Sequence, residues 1–498
     1  MSGHQSYPSC SIEVIEFNGD LGAFFPCPPG IYDWPPVQIS YLTLYLANLG
    51  CRTVVRETHY VDRDFIDDVA RFYSRNLRSY PNYCERLHFF GAQFDATAWE
   101  NLLHGAAADA GANAQQWLQS SYLGFAVRRP LPGAPLGRAV FRVVGPTSEA
   151  GLRRSFEVTR EYQVHLAGLD LTIDGLAFQQ QDQGVSACAT TALWSALHAA
   201  AHRERLHIPT PSEITESASR YLLTDGRAMP SEGLRVEQIC EATRATGLAP
   251  LLIRSLKPDE DRAQLSTFIR SGFPLVLALS IRGAGHAVCC VGLKEGDVKP
   301  QTDPQLHFRD GASRVRAVYI HDDRLGPYAD AELRSRTIQS QVRTSLLIRW
   351  PDGTEDGDPV LHAMLAPVPP KLRLGVVRLR ALGFEVAEFI ATAFPRLVGS
   401  PILDTRYELA TSYKKRALGF GLSTSGLFDL QCRTVLSRYV GLIEITNESG
   451  PLLDVLLDTT ETGAGPCVLA CVKRGAFPQN GQNVLTALSR FLNANVLS

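Results

Sequence analysis

Cys188 stands where a glutamine-rich loop becomes an alanine-rich segment, in "FQQQDQGVSACATTALWSALHAA" (178–200). Ala189, Ala192, Leu193, Ala196, Leu197 and Ala200 recur at helical spacing, which predicts a helix starting near Ala187 with a buried apolar stripe. Ser186 is the expected N-cap and puts Cys188 in the first turn. Unpaired backbone N–H groups and the positive helix end favour a thiolate there, the form of cysteine that attacks carbon. An ordinary thiol titrates near pH 8.5 and is only roughly 0.3% ionised at pH 6, so a nucleophile needs such help. Two further stretches could supply it. In "GAGHAVCCVGLK" (283–294) His286 follows Gly283 and Gly285 and heads an apolar run, from which an imidazole can reach a cleft edge. In "AVYIHDDRLGPYA" (317–329) Asp322 ends a strand-like run, where a carboxylate can accept the second ring N–H of a histidine and fix its tautomer. Asp323 takes that role if the register shifts by one. Thiol, imidazole and carboxylate together are the parts of acyl transfer through a thioester.

The elements that position these groups are legible in outline. "SIEVIEF" alternates as a strand, and "YVDRDFIDDVARFYSRNL" has Phe65, Val69 and Phe72 at helical spacing behind a capping Asp62. From about 138 to 178 the chain reads as β-rich, in "RAVFRVV", "SFEVTREYQVHLAG" and "LDLTIDGLAF". "GFPLVLALSIRGAGHAVCCVGLK" and "RVRAVYIHDD" read as buried strands with short turns. Cys289 and Cys290, mid-strand, are small core residues rather than a redox pair. The expected organisation is an N-terminal α/β region over 1–165, a core over 166–349 holding the three groups, a linker over 350–373 ("RWPDGTEDGDP" and "APVPPKLRL"), and a C-terminal α/β region over 374–498.

With 498 residues, 45% hydrophobic content and a formal net charge of −2, the composition is that of a soluble multidomain protein with no electrostatic reason to bind nucleic acid or an anionic membrane. No basic-then-apolar leader and no apolar run of bilayer length stand out. The 11 cysteines show no C-x-x-C pair, so free thiols in a reducing, cytoplasmic setting are expected.

The order Cys188, His286, Asp322, with "GHAVCCVG" around the histidine and "YIHDD" at the aspartate, resembles the papain-like cysteine peptidases, and more closely the bacterial C39-like family, over about residues 176–330. The resemblance implies an α+β fold whose catalytic helix packs on an antiparallel sheet, flanked here by additional α/β regions. It implies a cysteine peptidase or isopeptidase acting on a protein or peptide through a Cys-His-Asp triad, with no cofactor and no metal. It also implies an oxyanion hole made by the Cys188 N–H and a glutamine before the helix, Gln183. Most relatives carry that glutamine six residues before the cysteine, where this chain has Asp182, so Gln181 is a second candidate. The stretch "KEGDVKPQTDPQLHFRDGASR" makes the connection between His286 and Asp322 longer than usual and is expected as an exposed insertion. The N-terminal region could act as a propeptide-like cover or as a recognition domain.

The same triad permits transamidation when an amine replaces water, and a papain-like core can also serve as an inactive binding or scaffold module. Other chemistry has less to stand on. His198 and His202, one helical turn apart, could begin a metal site but lack an evident third ligand. Asp62, Asp64, Asp67 and Asp68 fit the acidic first turn of a helix better than a cation site. "GFGLSTSG" lacks the lysine of a phosphate-binding loop.

Overall fold

A computed structural model describes residues 11–28, 34–107, 111–147, 151–182, 185, 187–220, 233–300, 303, 305–355, 357–461, 468–477, 482–493 and 496–497. The first region is an antiparallel meander of five strands in sequence order: β1 (Ile12–Glu16), β2 (Thr53–Tyr60), β3 (Cys84–Phe90), β4 (Tyr122–Arg128) and β5 (Leu136–Phe141). Its helices are α1 (Val37–Asn48), α2 (Arg63–Arg71), α3 (Ala96–Ala107) and α4 (Gly111–Ser121). Asp62 caps α2 as expected, its carboxylate accepting the N–H groups of Asp64 and Phe65 at 3.1 Å each. Three short strands follow: β6 (Arg153–Ser155), β7 (Arg160–Leu166) and β8 (Leu169–Gly175). In β7, Tyr162, Val164 and Leu166 are buried while Glu161, Gln163 and His165 face out, the alternation of a half-buried strand.

The middle of the chain builds the largest sheet. It carries α5 (Cys188–Arg203), α6 (Pro211–Ala218), α7 (Val236–Ala245), β9 (Ala249–Arg254), α8 (Pro258–Arg270), β10 (Leu275–Ile281) and β11 (Ala284–Glu295). Then come β12 (Arg309–Asp310), β13 (Val315–Asp322), β14 (Gly326–Ile338), β15 (Gln341–Ile348) and β16 (Val360–Val368). The strand order is β10-β11-β13-β14-β15-β16-β9, with β6 on β11, and a further β10–β16 pairing closes the sheet on itself. The strand pairings that carry a register are antiparallel throughout this sheet. Arg282 (φ 50°) and Gly283 (φ 88°) both take left-handed backbone in the two-residue turn from β10 to β11, the geometry that matches strand twist in a tight hairpin. Helix α5 packs on β11. Every residue from Ala189 to Ala201 is buried, which only a helix apolar nearly all round tolerates. Leu193 and Leu197, with no exposed surface, each contribute about 1.5–3 kcal/mol of burial.

The C-terminal region is a six-stranded sheet in the order β12-β17-β18-β19-β20-β21. Its strands after β12 are β17 (Ile402–Leu409), β18 (Tyr439–Asn447), β19 (Gly450–Asp458), β20 (Val468–Lys473) and β21 (Val496–Leu497). Its helices are α9 (Val376–Ala393), α10 (Pro395–Val398), α11 (Ala410–Ala417), α12 (Thr424–Phe428) and α13 (Gln482–Leu492). The protein is thus α+β with antiparallel sheets predominating. No helix among the described residues is long and apolar enough to cross a membrane.

Two expectations about connections change. Residues 360–368, inside the stretch read as a linker, form β16, which hydrogen-bonds β10 on one side and β9 on the other. Val360, Leu361, Met364 and Leu365 are buried there, and the glycines and prolines that suggested a linker lie mainly around the strand. The long connection after His286 is not simply exposed either. Phe308 is buried, and Arg309 and Asp310 pair in parallel with Ile402 and Leu403 of β17, so the insertion ties the core to the C-terminal sheet. One continuous hydrophobic cluster runs through all three regions, from Phe17 to Leu488.

Candidate active site

The path into α5 is held from the N-terminal sheet. Ala139 of β5 bridges Phe178 in both directions, N–H to O at 2.8 and 2.9 Å. Gln180 donates its backbone N–H to Leu136 O at 3.1 Å, and Arg129 donates to Gln180 O at 3.0 Å. Asp182, six residues before Cys188, is buried and serves the loop. Its Oδ1 accepts the Val185 N–H at 2.6 Å, and Arg129 lies 3.6 Å from Oδ2. A carboxylate in that role accepts hydrogen bonds and cannot donate to an oxyanion. Gln183 and Ser186 lie outside the described residues. The residue that caps α5 is Ala187, extended at ψ 168° with no side-chain hydrogen bond, so Cys188 is the first helical residue. Its N–H therefore belongs to the set with no intrahelical acceptor.

His286 sits opposite Leu279 in the β10–β11 hairpin, three residues beyond the tight turn. Strand β13 pairs beside β11, Cys289 opposite His321, which carries Asp322 to the imidazole. His286 Nε2 lies 2.9 Å from Asp322 Oδ1 and 3.9 Å from Asp323 Oδ1, so Asp322 is the carboxylate in contact. The Cys188 side chain lies close enough to the same imidazole to favour its charged form. The three groups separated by 134 residues of sequence are thus brought together, with His286 and Asp322 buried and Cys188 half-buried.

The electrostatics of the cluster follow from burial and from one residue that motif reading missed. Burial alone would lower the His286 pKa, but the Asp322 charge, its hydrogen bond and that of Cys188 push it up to about 10. Burial would likewise raise Asp322; His286 and Arg324 reverse this and hold it well below the usual carboxylate range. Arg324 donates its backbone N–H and Nε to Asp322 Oδ1 at 3.0 and 3.2 Å and its Nη2 to Oδ2 at 2.7 Å. The Arg324 guanidinium also lies over the Trp350 ring, 5.6 Å from its centroid. Asp323 behaves oppositely. Burial, then the Asp322 charge, push it up to about 7, and neither of its oxygens accepts a hydrogen bond. Its backbone C=O accepts from Gln38 Nε2 of α1 at 2.7 Å, and Tyr41 of α1 donates to Pro327 O at 2.9 Å. Gly326 is where the next strand starts, and a Cβ there would meet the Tyr41 ring at 2.1 Å. Helix α1 therefore braces the turn that carries the two aspartates.

Of the described glutamines of the loop, Gln180 is held through its side-chain amide. Its Oε1 accepts the Leu136 N–H at 3.3 Å, while its amide N–H groups bond to no described residue. Gln181 is half-buried, and Gln179 is buried with its amide nitrogen unpartnered.

The rival sites dissolve into ordinary contacts. Arg160 donates to Nδ1 of His202 at 2.8 Å and to Nδ1 of His198 at 3.3 Å, so a guanidinium occupies the place a metal would need. Asp62 caps α2 and pairs with Arg138 at 2.7 Å, Asp64 pairs with Arg63, Asp67 with Arg71, and Asp68 accepts from Ser212. Cys289 and Cys290 are free thiols in the core. His286, Asp322 and Asp323 could by spacing hold a cation, but Arg324 already neutralises Asp322. Comparison with protein families and with curated proteins gives no match for this chain.

Proposed function

We propose that the protein is a cysteine peptidase or isopeptidase with a papain-like core, cleaving a peptide-type amide bond through Cys188, His286 and Asp322. The observation that carries this reading is the buried imidazole of His286, hydrogen-bonded to the Asp322 carboxylate and close to the Cys188 thiol at the start of a buried helix. The Asp322 carboxylate favours the charged imidazole of His286, the kind of neighbour that activates a cysteine nucleophile. The α+β architecture, with α5 against antiparallel β11, is compatible with such a core.

In the reaction the Cys188 thiolate attacks the carbonyl carbon and the C=O electrons move to oxygen. The tetrahedral intermediate collapses, the C–N bond breaks, and His286 gives its proton to the leaving amine. Water then attacks the thioester while His286 takes its proton, releasing the acid and the thiol. The developing oxyanion is met by the Cys188 N–H and by a glutamine amide of the loop before α5, Gln183 or Gln181; such a donor contributes about 3 kcal/mol. Asp322, itself clamped by Arg324, keeps the imidazole in one tautomer.

The test is a peptide-amide library digested by the full chain and followed by mass spectrometry. Cleavage that disappears in Cys188→Ala and in His286→Ala supports the reading. Cleavage that survives in Cys188→Ala rules it out.

A further inference from the structure

The two elements that carry the nucleophile and the base both end at one place. Helix α5 begins at Cys188 and ends at Arg203, roughly 22 Å away at 1.5 Å per residue. Strand β11 begins beside His286 and ends at Glu295. Around these ends lies a cavity of about 560 Å³, closed by the end of α8, by β6, and by β17 and α11 of the C-terminal region. That volume is in the range of small-molecule sites.

Five arginines line it, Arg153, Arg203, Arg270, Arg406 and Arg416, against three glutamates. Two of those glutamates are already saturated. Glu295 receives Arg270 on Oε1 at 2.5 Å and Arg153 on Oε2 at 2.9 Å. Glu408 receives Arg416 on both oxygens, at 3.2 and 2.8 Å, and Arg406 on Oε2 at 3.2 Å. The guanidiniums, with five N–H donors each, keep donors to spare, although Arg406 also pairs with Glu444 at 2.7 Å and Arg416 and Arg270 lie 3.6 Å from Glu444 and Asp404. Arg203 meets no carboxylate among the described residues; one nitrogen donates to Ser271 O at 2.8 Å. Arg270 Nε and Ser155 Oγ are buried with no partner. Among the described residues the lining carboxylates other than the exposed Glu157 are paired with arginine while guanidinium donors remain on Arg203 and Arg270, and planar guanidinium forks suit phosphate or carboxylate oxygens.

We propose that this cavity binds a compact polyanion bearing two or more phosphate or carboxylate groups. Bound there, it bridges the distal ends of the nucleophile's helix and the base's strand to the C-terminal region. The inference does not rest on the peptidase reading, because its readout is binding.

The probes are inorganic pyrophosphate and citrate, titrated into the full chain while the unfolding midpoint and the binding heat are recorded, with sodium chloride at matched ionic strength as control. A saturable upward shift with either anion, beyond that of chloride, is expected, and which anion saturates first assigns phosphate or carboxylate. Arg203→Gln and Arg416→Gln should each weaken the apparent Kd at least tenfold. Arg153→Gln, at a more exposed position, should weaken it as well and serves if the other two do not fold. The proposal is overturned if neither anion exceeds chloride, or if the folded variants bind with the wild-type Kd.

Discussion

Replacing Asp322 by asparagine isolates what the buried carboxylate does to its histidine. In the native site burial disfavours imidazolium, yet His286 is held up to about 10 because Asp322 Oδ1 lies 2.9 Å away. The rise from 6.5 corresponds to about 5 kcal/mol favouring the charged ring, an upper bound set by relaxation and residual solvent. Asparagine keeps the shape and can still accept the ring N–H, but it removes the charge, and burial then drives the imidazole neutral at pH 6. Cys188 then loses its cationic partner. Iodoacetamide labelling of Cys188 should therefore slow by at least about tenfold at pH 6. At pH 9, where the lost imidazolium matters less, the two rates should draw together. Labelling at several pH values, with peptide mapping and circular dichroism to confirm folding, measures this directly. A slowdown of equal size at every pH would point to structural damage, and no slowdown at pH 6 would refute the argument.

Other outcomes follow from the same geometry. Gln183→Ala should cut kcat for amide cleavage by about 10²-fold while leaving the pH 6 labelling rate of Cys188 unchanged, since it removes a donor to the oxyanion and not a partner of the thiol. Asp323→Asn should stabilise the fold in the alkaline direction. A carboxyl raised to about 7 in the native state destabilises increasingly as pH rises from 3.8 to 7, so urea unfolding should show a gain of about 2–4 kcal/mol above pH 7 and none below pH 3.8. Gln38→Ala leaves the buried Asp323 carbonyl without its donor and should lower kcat about tenfold, with a loss of about 1–3 kcal/mol in stability measured by urea titration. A chain starting at residue 166 loses β5, which pairs with Phe178, and should be insoluble rather than activated; a soluble, faster enzyme would revive the propeptide view.

The parts of the structure legible in sequence are those whose signal is local. The apolar stripe after Cys188, the apolar run "PLVLALSI" and the Arg282–Gly283 turn each announce their element, and Asp62 announces its helix. Chain order was enough to nominate Cys188, His286 and Asp322 because strand neighbours in an antiparallel hairpin deliver groups to the same end. The unread parts depend on partners far away in sequence. Residues 360–368 read as linker because glycine and proline crowd around them, while the β9 and β10 backbones that recruit them lie about 80 to 120 residues earlier. Arg160 quenches the histidine pair from another element, and Gln38 reaches the aspartate turn across 285 residues. Asp182 was judged as a missing glutamine, when its own work is to hold the loop with Arg129.

The most direct measurement of the central claim is a competition among the thiols of the folded protein. Limiting iodoacetamide at pH 6 offers itself to half-buried Cys188 and to the exposed Cys27 and Cys432. Preferential alkylation of Cys188, by at least tenfold over the two exposed thiols and abolished in His286→Ala, is the result the account predicts. Faster labelling of Cys27 and Cys432, indifferent to His286, would mean that Cys188 is a thiol placed by packing alone.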